Sequence, residues 1–364
     1  MGTGTVTQDG KSIVSDPGVG IPKFCCGATT ASNPEPPPPP PTCPESGNPV
    51  SLPSGAATVF ERKQFGIKGG NFPVSLYCGY SSVNPVIGFF GRGTYFNYDW
   101  RVRQSSQAIT VIRPNGERYN LVLEGDGVYR ASGGRRGGLG MEATITTSGV
   151  VVRQSDGTKY EFSARGFLIA QQDANGNRVA ITRDANNYAA SITDATGRTY
   201  TFETTRITLG RTIYTVATKI TDPLGRTQQY GYDSQARLIS VTDAAGNITT
   251  YEYDANGRII KKTDTRGAAP QYIYDAAGRA IEELLADGSI YKFDYTVAGN
   301  TITETKVTDP NGNVTIHRFN GQGYETRTID GLGRLFKKEV DYATNLLMSE
   351  TDPLGRATRY TYDA

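Results

Sequence analysis

The 364-residue chain has one histidine, one tryptophan and no cysteine in residues 79–364. The lone His317, in the run VTIHRF, has no second histidine for a metal pair, and no Cys–His pair of plausible type is present. Gly-x-Ser-x-Gly and His-Glu-x-x-His are both missing. The expectation is therefore a non-enzyme with no catalytic residue, no metal and no cofactor. No run of about 18 apolar residues exists, so no helical membrane span is expected. Lys and Arg number 38 against 36 Asp and Glu, which gives no field for a polyanion, and nucleic acid is excluded as a partner. The opening MGTGTVTQDG lacks the basic and apolar regions of a signal peptide, so export by another route or an incomplete N-terminus is expected. Cys25, Cys26, Cys43 and Cys78 lack Cys-x-x-Cys spacing, which argues against zinc. One or two disulfides or unpaired thiols remain open, and a bond between the adjacent Cys25 and Cys26 would be strained.

Glycine is abundant, at 43 residues, and tyrosine outnumbers phenylalanine 22 to 13. Residues 1–45 hold few large apolar groups and include six prolines at 36–41, which predict a flexible segment with an extended polyproline stretch. Residues 46–165 read as a β domain preceding the repeats. Asn115-Gly116 and Asp156-Gly157 sit between β-favouring runs and predict hairpins. ASGGRRGGLG (131–140) reads as loop.

Residues 166–364 repeat. Tyr232-Asp233, Tyr253-Asp254 and Tyr274-Asp275 recur at 21-residue spacing, and degenerate copies follow. Asp-x-x-Gly recurs at Asp173, Asp194, Asp222, Asp243, Asp264, Asp309, Asp330 and Asp352. A fixed period of 20–50 residues signals a repeat architecture. Within one unit, RLISVTD (237–243) and ITTYEYD (248–254) read as two strands. Strict alternation places Leu238, Ser240 and Thr242 on one face and Ile239 and Val241 on the other. The predicted fold is all-β: a curled antiparallel sheet of hairpins, a partial shell or β-solenoid-like arc. The tyrosines form a ladder whose hydroxyls reach water or carbonyls. The aspartates cap turns, Gly257 and Gly278 supply positive φ, and Arg258 and Arg279 pair with the aspartates. A calcium loop would need further carboxylates in register, so these segments read as turns.

YEYDANGRIIKKTD (251–264) and YIYDAAGRA (272–280) closely resemble the YD repeat of the Rhs family, and the resemblance covers about 166–364. Upstream, Gly47-Asn48-Pro49 is similar to the segment that precedes Rhs repeats, with Ser54-Gly55 in place of Thr-Gly. The resemblance implies a structural protein: a β-sheet spiralled into a shell that encapsulates and delivers a C-terminal toxin, the toxin itself being absent from this chain. It implies a bacterial polymorphic toxin, secreted or at the cell surface, with other YD repeats or a toxin polypeptide as partners. The alternative is an adhesion or carbohydrate-binding module that presents exposed tyrosines to a cell-surface glycan. The chain stops at TRYTYDA, in mid-repeat, without the family's self-cleaving core, so a truncated member and an unpaired edge strand at 358–364 are expected.

Overall fold

The computed structural model describes residues 5–8, 11–14, 45–46, 50–65, 72–116, 118–131, 140–341 and 347–361. The hexaproline and Cys25, Cys26 and Cys43 lie outside the described residues. Every regular element among the described residues is a strand, and these strands pair antiparallel, so the all-β expectation holds. The chain divides into two compact units. One comprises residues 58–130 and 141–271, the other 1–57, 131–140 and 272–364.

In the unit 58–271, strands of three to six residues follow one another from Arg101–Gln104 to Ile259–Thr263, apart from the long hairpin Thr199–Leu209 and Thr212–Thr221. The meander thus starts well before residue 166. The early turns lack the Asp-x-x-Gly mark because their aspartate sits third rather than first: Glu124-Gly125-Asp126-Gly127 and Gln154-Ser155-Asp156-Gly157. Gly157 donates to the Gln154 carbonyl and Gln154 to the Thr158 carbonyl, so the loop has three residues with Gly157 in the left-handed region, not two. The first strand folds back on the strip. Arg101 bridges Phe167, and the Val102 N–H donates to the Gly166 carbonyl at 2.8 Å.

In the other unit, antiparallel strands run from Ala280–Leu284 to Ala357–Thr361. The last strand is not a bare edge. Thr5, Val6 and Thr7 pair with Thr361, Tyr360 and Arg359, and Thr5–Gln8 pairs in turn with Lys11–Val14.

Strict alternation fails at one place in each repeat. The register shifts between Gly231 and Tyr232, between Glu252 and Tyr253, between Arg318 and Phe319, and between Glu339 and Val340. Such a bulge reverses the parity of facing residues. Leu238 and Val241, three apart, are therefore both buried, while Ile239 is exposed. The inner column reads Tyr160, Ile181, Phe202, Tyr230 and Tyr251 in one unit and Tyr272 and Phe293 in the other, all at most 9% exposed.

Candidate functional site

The turn is built the same way at each repeat. Asp254 Oδ1 accepts the amides of Asn256 and Arg258 at 2.9 Å, and its Oδ2 takes the Arg258 guanidinium at 2.6 Å. Gly257 sits at φ +81°. Asp233 with Arg237 and Asp275 with Arg279 repeat the pairing, and Gly278 lies at φ +87°. Partial burial alone would raise the Asp254 carboxyl. The Arg258 amide and guanidinium outweigh it and hold the group below the usual carboxylate range, and Asp233 and Asp275 follow suit.

The second tyrosine of each mark is a clamp. Tyr232 donates its hydroxyl to the Ala217 carbonyl at 2.6 Å, Tyr253 to Leu238 at 2.7 Å, and Tyr295 to Ala280 at 2.6 Å, each fifteen residues back. The turn arginine covers the next clamp ring: Arg237 lies 5.2 Å from the Tyr253 centroid and Arg279 5.2 Å from that of Tyr295. Burial pushes the Tyr253 and Tyr295 hydroxyls up, so they stay protonated donors. Tyr274 is half-buried. At Arg183 a guanidinium replaces the phenol. Its Nε donates to the Leu168 carbonyl at 2.7 Å, again fifteen residues back, and its other nitrogens reach the carbonyls of Asn187 and Tyr98.

The residues at this position lie across the bulges, and the N–H groups of four of them make a second set of contacts. In the unit 58–271, Leu168 donates to the Trp100 carbonyl, Ala217 to Phe89, and Ile259 to the Tyr80 hydroxyl at 3.0 Å. In the other unit, Ala280 donates to the Gly55 carbonyl at 2.8 Å. All four recipients belong to the segment upstream of the meander. Leu168, Ala217, Ile259 and Ala280 are at most 2% exposed, so an unpaired amide there would cost about 1–3 kcal/mol. The upstream segment also fills the inner face with rings. Phe90 lies 4.9 Å from Tyr230, Phe89 lies 5.6 Å from Phe202, and Trp100 stacks on Tyr160 at 4.5 Å. Close approach demands glycine at Gly55, where φ is +68° and an added Cβ would lie 2.6 Å from Arg279 Cβ. The inner face is thus a rail read at these four repeats by a second segment of the same chain. Nothing in the side-chain pattern announces it, because the rail is backbone.

From Val314 onward the inner column changes character. His317 and Lys338 occupy the position of Tyr230 and Tyr251, and Glu325 occupies that of Leu238 and Ile259. His317 Nδ1 lies 2.6 Å from Glu325 Oε1, and Lys338 donates to Glu325 Oε2 at 3.2 Å. Lys338 also lies 4.0 Å from Glu350, to which the Tyr360 hydroxyl donates at 2.8 Å. Burial would raise the Glu325 carboxyl, but the His317 hydrogen bond and the Lys338 charge hold it below its usual range. His317, the lone histidine, is one end of this charged row. Cys78 is a buried thiol with its sulfur 3.9 Å from the Gly79 carbonyl oxygen. Among the described residues no cluster of His, Cys, Asp and Glu is arranged to hold a metal. No helix among them is long and apolar enough to cross a membrane.

The RHS Repeat family matches residues 236–269 and 341–364, and a domain of unknown function, DUF6531, matches residues 47–121. The chain carries Rhs repeats in these two stretches. Among solved structures it is similar to TcdB2-TccC3, at 12% identity over 74% of this chain and 17% of that one, with a TM-score of 0.39. TcdB2-TccC3 without its hypervariable C-terminal region matches at 10% identity over 85% of this chain and 17% of that one, with a TM-score of 0.40. The Photorhabdus luminescens Tc holotoxin pore matches at 10% identity over 74% of this chain and 21% of that one, with a TM-score of 0.27. The chain thus spans less than a quarter of the length of these structures. No curated protein matches it.

Proposed function

We propose that this chain is wall: a non-catalytic stretch of an Rhs-type shell that encloses a toxin polypeptide outside the producing cell. The observation that carries the reading is the backbone rail. The amides of Leu168, Ala217, Ile259 and Ala280 and the rings of Tyr160, Phe202 and Tyr230 hold the upstream segment. The adhesion reading asks for exposed tyrosines, whereas Tyr230, Tyr251 and Tyr272 are at most 5% exposed. The test is protease shielding. The protein is purified from the bacterium that makes it and digested under native conditions, and the resistant material is identified by mass spectrometry. A polypeptide that resists until the repeats are unfolded supports enclosure. A preparation with no shielded polypeptide, or one cleaved as fast as free chain, refutes it.

A further inference from the structure

The hairpin Thr199–Leu209 with Thr212–Thr221 outruns its neighbours in the unit 58–271. The strand Ala189–Thr193 pairs with it only over Thr199–Thr201, and the strand Thr227–Tyr232 only over Lys219–Thr221. Past those residues its two strands pair with each other, from Thr204 opposite Ala217 to Leu209 opposite Thr212. The loop between them is Gly210-Arg211, with Gly210 at φ +60°. In a two-residue loop the flanking pair, here Leu209 and Thr212, exchanges both backbone hydrogen bonds. Bonded and non-bonded pairs alternate from there. Thr204, Arg206 and Thr208 therefore turn their N–H and C=O groups outward, and Ile213, Thr215 and Ala217 do so on the other edge. Ala217 bears out this parity, since its N–H leaves the ladder for the Phe89 carbonyl at 2.8 Å. That edge is thus partly occupied. On the opposite edge Thr204, Thr205, Arg206 and Thr208 are exposed, and no described residue outside the hairpin bonds to their backbone.

The open edge lacks the usual guards: it has no proline, no lysine and no bulge past the one at Glu203 and Thr204. Its charge is one-sided. No Asp or Glu lies between Glu203 and Asp222, and Glu203 is held by Lys219 at 2.7 Å. Arg206 and Arg211 are exposed and have no ionic partner among the described residues. The other long hairpin, Ile290–Ala298 with Thr301–Thr308, has its acids paired, Asp294 with Lys306 at 3.8 Å and Glu304 with Arg318 at 2.7 Å. A second copy suits the edge poorly, because joining two such edges sets the two Arg206 side chains opposite or diagonal to each other on one face. A strand added here shares faces with the residues it pairs. Its residue opposite Arg206 lies beside the guanidinium. Its residue opposite Ile207 joins the face of Ile207, Leu209 and Tyr214, all half-buried. We propose that Thr204–Leu209 is a docking edge for an extended acidic segment of another protein. That segment adds a strand, with carboxylates at alternate positions toward Arg206 and apolar side chains beside Ile207. The inference does not depend on whether a toxin is enclosed.

The full-length chain is titrated into fluorescein-labelled peptides and followed by polarisation. The probes are Glu-Val-Glu-Val-Glu-Val-Glu, its lysine counterpart Lys-Val-Lys-Val-Lys-Val-Lys, and the acidic peptide methylated at its glutamate nitrogens. The parent is expected to bind the first alone, because the methylated peptide keeps the charge and loses the N–H groups that face Thr204, Arg206 and Thr208. Arg206→Glu changes an exposed side chain and no hydrogen bond of the hairpin. It should weaken the acidic peptide about tenfold and bring in the basic one. No binding of the acidic peptide by the parent, or affinity indifferent to Arg206→Glu, overturns the proposal. Equal binding of the methylated peptide overturns it too, since that result marks charge attraction without an added strand.

Discussion

Gly166 and Gly246 separate backbone strain from tight packing. Both lie in the left-handed region, at φ +80° and +85°. An added Cβ at Gly246 meets nothing within 4 Å, whereas at Gly166 it would lie 2.1 Å from the Val102 carbonyl oxygen. Left-handed backbone costs an L-residue about 1–2 kcal/mol. Loss of glycine's freedom in the unfolded chain returns about 0.4–1 kcal/mol. Gly246→Ala is therefore expected to destabilise by about 1 kcal/mol. Gly166→Ala carries the same strain and must also push Val102 away. That disrupts the Val102-to-Gly166 and Leu168-to-Trp100 hydrogen bonds, at about 1 kcal/mol each. With the packing around the Arg101–Phe167 bridge, the expected loss is about 3–4 kcal/mol. Equilibrium urea unfolding of the two variants and the parent reads the difference, as a midpoint shift at unchanged slope. Equal losses would refute the claim that the first strand closes tightly onto residues 166–168.

Three further outcomes are expected. Tyr253→Phe removes the donor to the Leu238 carbonyl and should cost about 1–2 kcal/mol in the same assay, with faster exchange confined to neighbouring strands. Asp194, Asp233, Asp254 and Asp275 all have folded carboxyls held below the ordinary value of about 3.9, so their contribution is complete above that pH and lost as pH falls through the lower folded values. Thermal unfolding should therefore show a flat midpoint from pH 7 to 5 and a steep fall below about 4. Glu325→Ala strands the Lys338 charge and should cost roughly 2 kcal/mol, while the triple variant His317→Tyr, Glu325→Leu, Lys338→Tyr, which restores the pattern of the earlier repeats, should recover most of it by thermal melt.

The 21-residue period and the Asp-x-x-Gly-Arg turn were legible because both are side-chain and glycine chemistry, local to five residues. The bulge was not. It shifts one residue of register without changing composition, so Leu238 and Val241 were assigned to opposite faces although both are buried. The rail was hidden for a deeper reason: the amides of Leu168, Ala217, Ile259 and Ala280 look alike in any sequence. Arg183 concealed a clamp by performing tyrosine's task with a different group. The charged row had a readable signal that went unused. His317 and Lys338 stand 21 residues apart, at the first-tyrosine position of their repeats, and Glu325 breaks the aliphatic position. Departures of a repeat from its own pattern mark the places where its surroundings change.

Amide exchange at Leu168, Ala217, Ile259 and Ala280, in the parent and in Tyr80→Phe, tests the rail most directly. The account predicts four amides as slow as the most protected core positions, and in Tyr80→Phe an acceleration of about tenfold at Ile259 with the other three unchanged. Fast exchange at all four in the parent, or an Ile259 rate indifferent to the loss of the Tyr80 hydroxyl, would contradict it.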